Sequence, residues 1–427
     1  MTNHESQLEH SLGAYLTTPS PASALQLMRT LRASGRASDA IDLARRWLPA
    51  YPHEYRCHLA IELNSLGLFE EARKALQEGL PFLRGETDRY LASLELAISL
   101  YSLGRFHEAH PILRWLRGAE QTDVWLRMTA PQWSEEKRRT VIGKLLDMET
   151  PVAGRRILIL SEGGAGDTMM FYRYIPELVR EGAACVHVQA PESLRCLFSA
   201  QSFGKPVSRP SLDDYDLIAW TFNLYARYQQ SPYTNRCPGA YLKLPEGHAL
   251  PPAVYAALGA HCDRRRVGLI WRSDSKVRHE PYRSMELHRL EPLLRASDTA
   301  FFSLQTGTLT PSEREILQHH NVADLGAHLR SFSDTAHILS DLDLLISIDT
   351  GPIHLAGALD RPVWAMLSRA CDQRWYDCQH FTPWYRSMRL YRQAILGDWG
   401  PVVDSVSSAT NRAYERTLCE PVHLADA

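Results

Sequence analysis

A chain of 427 residues, 44% hydrophobic and 22% charged, is longer than one ordinary domain and has the composition of a globular protein of two to four domains. Its formal net charge of -2 gives no electrostatic case for nucleic acid or an acidic membrane surface. No apolar run reaches the roughly 20 residues that span a bilayer, and MTNHESQLEHSLGAYL lacks the basic and apolar regions of a secretion signal. The cysteines at 57, 185, 196, 237, 262, 371, 378 and 419 are expected as reduced, mostly buried thiols of a cytoplasmic protein.

The first third repeats itself. LRASGRASDAIDLARRWL (31–48), LNSLGLFEEARKALQEGL (63–80) and LYSLGRFHEAHPILRWL (100–116) share one pattern. A helix ends at Gly35, Gly67 or Gly104, and Ala40, Ala72 or Ala109 follows five residues later inside the next helix. Spacings of 32 and 37 residues suit a helix–turn–helix repeat of about 34 residues. The glycine permits the turn, and the small alanine lets two helices approach closely. This segment resembles tetratricopeptide repeats, and a plain helical bundle is the alternative. Such a solenoid binds a protein or packs on its own catalytic domain. Residues 117–153 read as a linker or capping region.

From residue 155 short apolar runs alternate with helical stretches. RILILS (156–161), ACVHVQA (184–190) and YDLIAW (215–220) read as strands, and TMMFYRYIPELVREG (168–182) as one helix. A proline- and glycine-rich connection follows at 231–253. The alternation then restarts with RVGLIW (266–271), TAFFSL (299–304), NVADLG (321–326), LDLLISI (342–348) and RPVWAML (361–367). Strands spaced by helices imply parallel sheets covered on both faces. Two such units imply two Rossmann-like domains facing one cleft, with ligands beyond the carboxyl ends of the strands.

Three strand ends could carry chemistry. The first is SEGGAGDTMMF (161–171), where Gly163, Gly164 and Gly166 bring backbone close to a ligand and Asp167 opens a helix. The string is neither a Walker loop nor a GxGxxG fingerprint. Asp167 is either a helix cap or a general base. The second is the basic loop WRSDSKVRHEPYRSMEL (271–287), with Arg272, Ser273, Lys276, Arg278, His279 and Arg283. It suits a phosphate or diphosphate, or is a solvated surface loop. The third is ISIDTGPIHLAGALDRPVWAML (346–367). Here Asp349 ends a strand, Thr350 or Asp349 can cap the following helix, and Gly351 lets an anion reach the helix N-terminus. Pro352 is tolerated in that first turn. His354 faces either the ligand or the core.

Taken in order, GxGDTxxF…RYIPEL, VGLIWR…YRSMEL, FFSLQ, DTGPIHLAGALDRPVW and TPWYRSMRLYRQ…GDW resemble the catalytic part of the ADP-heptose:lipopolysaccharide heptosyltransferase family, in its branch with N-terminal tetratricopeptide repeats. The likeness covers about residues 154–400. It implies an α-helical repeat domain followed by an α/β GT-B fold, divided as 1–118, a linker 119–153, an acceptor-side domain 154–250 and a nucleotide-sugar domain 251–427 ending in a helical tail. It implies inverting transfer of a sugar from a nucleotide diphosphate, ADP-heptose-like, with no cofactor and no catalytic metal. By the resemblance, Asp167 is the catalytic base. Arg272, Ser273, Lys276, Arg283, Asp349, Thr350, Gly351 and His354 are the diphosphate side, and Gly164, Gly166 and Gln305 lie on the nucleotide or sugar side. The repeats point to a protein acceptor rather than lipopolysaccharide. Cys371, Cys378 and His380, with Cys419 distant, do not match a standard zinc spacing. The rival readings are a repeat scaffold with an inactive transferase domain and a nucleotide-sugar epimerase of the same architecture.

Overall fold

The computed structural model describes residues 3–233, 239–273 and 280–412. The N-terminal third is helical: α1 (Asn3–Thr17), α2 (Pro21–Ala33), α3 (Ala37–Trp47), α4 (Arg56–Ser65), α5 (Phe69–Gly79), α6 (Glu86–Ser102), α7 (Phe106–Leu116), α8 (Ala119–Thr129) and α9 (Glu135–Gly143). Three hairpins, α2/α3, α4/α5 and α6/α7, turn at Gly35, Gly67 and Gly104, whose φ values are 75°, 73° and 71°. A side chain is strained in that left-handed region, which is why the turn keeps glycine. Each turn closes with the same bond back into the helix, from Arg36, Leu68 and Arg105 N–H to the carbonyls of Leu31, Leu63 and Leu100, at 2.9, 2.9 and 2.8 Å. Ala40, Ala72 and Ala109 are fully buried between the paired helices.

The stretch between the hairpins and the first sheet is also structured. Helices α8 and α9 pack their apolar faces, Leu126 and Val141, on Leu158 and Trp220. Leu145 then bridges Ile218 alongside the sheet.

The first sheet has the parallel strands β1 (Arg156–Leu160), β2 (Cys185–Gln189), β3 (Lys205–Val207) and β4 (Leu217–Trp220), in the order β3-β2-β1-β4. Its helices are α10 (Ala165–Phe171), α11 (Ile175–Arg180), α12 (Glu192–Ser199) and α13 (Thr221–Tyr228). The single helix expected over 168–182 is two, joined by a 3-10 turn at Tyr172–Tyr174. Pro176 explains the break: it lacks an N–H and its ring collides with the preceding turn of any continuous helix.

The second unit contains α14 (Pro252–Gly259), β5 (Arg265–Ile270), α15 (Glu280–Arg283), α16 (Glu291–Leu294), β6 (Thr299–Ser303), α17 (Pro311–His319), β7 (Ala323–Asp324), α18 (Phe332–Asp341), β8 (Leu344–Ile348), α19 (Gly351–Ala358), β9 (Val363–Leu367), β10 (Met388–Arg392) and α20 (Gly400–Arg412). The parallel order is β10-β9-β8-β5-β6-β7. In both sheets the strand order reverses beside the first strand, between β1 and β4 and between β5 and β8. Ligands of such sheets bind beyond the carboxyl ends at these reversals. The glycine string after β1, the basic loop after β5 and the turn after β8 all lie there. Strands β3 and β10 escaped the sequence reading. Both are sheet edges, so neither is a continuous apolar run, and β3 holds Pro206, which an edge tolerates.

The helical region is bound tightly to both sheets. Arg117 makes a bidentate ion pair with Glu162 at 2.8 and 2.9 Å. Gly104 sits against Asp377, and Tyr282 donates to the Arg32 carbonyl at 2.9 Å. His110 on α7 is buried between Tyr101, whose hydroxyl is 2.8 Å from Nδ1, and the Ala226 carbonyl, 3.1 Å from Nε2. Burial, aided by Arg114 and His107, pushes its pKa down from 6.5 to about 4. The unfolded chain therefore binds this proton between those values while the folded protein does not, so His110 makes stability fall as pH drops from 6.5 towards 4. Wild type is expected to lose about 2 kcal/mol more than His110→Gln between pH 7 and pH 5 in urea unfolding.

Candidate active site

Asp167 occupies the third position of α10. Gly163 turns the chain after β1 with φ 76°, and a side chain there would strike the Asp167 carboxylate. Oδ2 of Asp167 accepts the Gly164 N–H at 2.7 Å, so the capping role is present. The other oxygen does something else: Oδ1 lies 2.6 Å from Nη2 of Arg374.

Across from α10 stands the start of α19. Asp349 follows β8, is buried, and accepts the Trp375 indole N–H at 2.9 Å through Oδ2. Burial raises its carboxyl pKa against the opposing pull of Arg374. Neither Thr350 nor Asp349 caps α19, contrary to the sequence expectation. The Thr350 hydroxyl pairs with Ser347 Oγ at 3.1 Å instead, so the first turn of α19 carries no side-chain cap. The two helix starts meet closely: a Cβ on Gly166 would sit 3.4 Å from Gly351 Cα and 2.8 Å from His354 Cδ2.

His354 is a core residue that also borders the site. It is buried, its ring stacks on Trp375 with centroids 5.5 Å apart, and Nδ1 lies 3.0 Å from the Tyr385 hydroxyl. Nε2 is 3.4 Å from Nη1 of Arg374 and 3.9 Å from Asp349 Oδ1. Burial first, then Arg374, holds the imidazole well below its usual range, hence neutral. The neighbouring cation favours the lone pair on Nε2 and the proton on Nδ1.

Arg374 is the residue the sequence reading missed. It lies on a 3-10 turn, Gln373–Trp375, beyond the carboxyl end of β9. Besides Asp167 it holds Asp372, with Nε and Nη2 at 2.9 and 3.0 Å from the carboxylate oxygens. The signal was present: the rule that ligands gather beyond strand carboxyl ends applies to CDQRWY after β9 as well as to DTGPIH after β8. That segment drew attention for its cysteines. Burial pushes the Cys371 thiol up to about 11. Among the described residues no three His, Cys, Asp or Glu side chains are grouped to hold a metal, and Cys419 lies outside them.

The loop after β5 divides into two parts. Arg272 is engaged by Glu313 at 3.0 Å and by the Thr308 carbonyl at 2.8 Å. Gln305 Oε1 accepts from the Trp271 and Arg272 backbone at 3.3 and 3.1 Å, which ties the ends of β5 and β6 together. Arg283 donates to Ser273 Oγ at 2.6 Å and lies within electrostatic reach of Asp349. Lys276, Arg278 and His279 fall outside the described residues. The structure thus gathers Asp167, Gly166, Asp349, Thr350, Gly351 and His354 around Arg374. The Ser273–Arg283 pair stands nearby, while Arg272 and Gln305 serve the strand ends.

Residues 313–392 match the model of glycosyltransferase family 9 (heptosyltransferase). Over 435 aligned residues the chain is 24% identical to Protein FlbA of Caulobacter vibrioides, covering 89% of this chain and 71% of that one. Among solved structures it is similar to a family 9 glycosyl transferase from Veillonella parvula, at 11% identity over 62% of this chain and 98% of the other, with a TM-score of 0.44. It is also similar to the ADP-heptose lps heptosyltransferase II of E. coli, at 14% identity over 61% of this chain and 99% of that one, with a TM-score of 0.40. The family-matched segment holds the turn after β8, the neutral His354 and Arg374, and it marks the chain as carrying a glycosyltransferase family 9 (heptosyltransferase) domain over residues 313–392.

Proposed function

We propose that the chain is an inverting, metal-independent transferase of GT-B architecture. It moves a sugar from a nucleotide diphosphate to a hydroxyl of a polypeptide acceptor. The acceptor oxygen attacks C1 of the donor sugar and gives its proton to Asp167. The electron pair of the breaking C1–O bond leaves with the nucleotide diphosphate. Negative charge grows on that diphosphate in the transition state, so groups aimed at it act where catalysis needs them. The first turn of α19 offers the Gly351 N–H and the helix dipole there, since Pro352 has no N–H and that of Ile353 is bonded to the Thr350 carbonyl at 3.1 Å, and Arg374 and Arg283 offer cations. Lys276 joins them in this reading.

One observation carries the proposal: the carboxylate after β1 touches the guanidinium after β9, beside the start of α19. The strand ends of the two sheets therefore address one place, where a base and an anion seat can act on the same bond. The helical region supports a polypeptide acceptor because it borders this place. A small, largely apolar cavity of about 30 Å³ marks this border, lined by Ala97 and Tyr101 of α6, by Phe171 of α10 and by Arg374. In this reading the helix hairpins are tetratricopeptide-like and present the acceptor.

Two measurements test the proposal. A thermal-shift panel of ADP, UDP and GDP and their sugars should give stabilisation that grows with ligand excess, about 2.7 kcal/mol at 100 times Kd. An ADP response favours an ADP-heptose-like donor. The productive donor is then offered with polypeptide and with lipid A–core acceptors. Transfer to lipid A–core but to no polypeptide would overturn the protein acceptor.

A further inference from the structure

We infer that Arg374 is a donor-sensing positioning residue: it holds Asp167 in the empty site, and the donor diphosphate takes it over and thereby releases Asp167 to the acceptor. This inference rests on the reading of Asp167 as base and of the α19 turn as diphosphate seat.

Both oxygens of Asp167 are already engaged, Oδ2 by the Gly164 N–H at 2.7 Å and Oδ1 by Arg374 at 2.6 Å. The pair is enclosed, with the Arg374 and Asp167 side chains only 14% and 13% exposed. Oδ1 is buried against Arg374, so an incoming hydroxyl cannot reach it while this contact stands. The Gly164 bond belongs to the helix start and stays. The Arg374 contact is the one that can be exchanged.

The exchange has a near destination. Nη1 of Arg374 is 3.4 Å from Nε2 of His354, which sits in the first turn of α19. A diphosphate on that turn carries more charge than one carboxylate and presents oxygens in the geometry a planar guanidinium binds bidentately. The backbone need not move, because the Trp384 indole N–H donates to the Arg374 carbonyl at 2.6 Å and fixes the turn. Asp372 Oδ1 stays 2.9 Å from Nε as a counter-charge at the inner end of the guanidinium, while Nη2 gives up its bond to Asp372 Oδ2 together with its contact to Asp167. Charge favours the hand-over as well. Arg374 is one cation facing two contacting carboxylates, with Asp349 in electrostatic reach. A diphosphate on the α19 turn would sit in reach of Arg283 and compete with these carboxylates for the Arg374 guanidinium. Donor binding then precedes acceptor activation, so the base is freed only when a leaving group is in place.

The test uses the full chain and inorganic diphosphate. Binding is read by the shift in melting temperature. The state of Asp167 is read by carbodiimide-driven amine labelling, quantified on the peptide that contains it. In wild type, diphosphate should raise the melting temperature and increase Asp167 labelling several-fold. Arg374→Ala should show the high labelling without diphosphate and a smaller melting shift. Arg374→Lys should fall between the two, since an ammonium keeps the charge but not the fork. Stabilisation by diphosphate with Asp167 labelling unchanged or lower overturns the hand-over and leaves the diphosphate seat standing. No stabilisation of wild type overturns the seat, and the hand-over with it. Should Arg374→Ala fail to fold, the wild-type and Arg374→Lys arms decide by themselves.

Discussion

Asp167→Asn should lower sugar transfer by roughly 10²–10⁴-fold while the protein remains folded. The asparagine side-chain oxygen can still accept the Gly164 N–H, so the start of α10 keeps its bond. Arg374 retains Asp372 as a counter-ion. What disappears is a group able to take a proton, and a neutral amide cannot supply it. Asp167→Ala should be equally inactive and should lose the cap as well, at about 1 kcal/mol of further destabilisation. The check is a transfer rate beside a thermal melt for each variant. Wild-type turnover in Asp167→Asn would remove Asp167 from the mechanism and leave it as a helix cap.

Gly166→Ala should lower kcat by roughly 10²-fold, although alanine is the better helix former. The reason is contact rather than backbone freedom, since the φ of Gly166 is not positive. The new Cβ would stand 2.8 Å from His354 Cδ2 and 3.4 Å from Gly351 Cα. The imidazole cannot swing aside, because Tyr385 holds one edge and Trp375 covers its face. Helices α10 and α19 must therefore separate by a few tenths of an ångström, which moves the base away from the bond it serves. Overpacking of this kind costs about 1–3 kcal/mol of stability as well. Gly259→Ala, with nothing within 4 Å of the new methyl, is the control for a harmless change. Steady-state kinetics on both variants settle the matter, and equal kcat values would mean the α10–α19 approach has no part in turnover.

Much of the fold was legible because its signals are local. The hairpin glycines announced themselves by spacing, since only glycine adopts a positive φ cheaply, and the alanines five residues on fill the closest helix approaches. Central strands such as RILIL and LLISI are continuous apolar runs because both faces of a parallel sheet are buried. Edge strands β3 and β10 lacked that run and went unseen. Pro176 was visible as a residue, yet the helix it divides was read as one, since the apolar pattern continued across it.

The site was legible in part for the same reason. Asp167, Asp349, Gly351 and His354 stand at strand ends, where chain order alone marks a ligand's place. Arg272 followed the same rule, but its guanidinium is engaged by Glu313 on a helix 41 residues away in sequence. No spacing in the loop discloses that partner. Arg374 was hidden for the opposite reason: its carboxylate partner Asp167 comes from the other sheet, and only folding brings them to 2.6 Å.

The sequence by itself determined the repeat hairpins, the two runs of alternating strands and helices, and the chemistry of the three strand-end motifs, because each depends on residues close together in the chain. Only the tertiary structure decided which cation meets the carboxylate after β1, that Thr350 leaves α19 uncapped, and that His354 is held neutral. Those facts arise where chain segments far apart in sequence exclude water from one another, and it is burial beside a specific partner that sets charge and proton affinity.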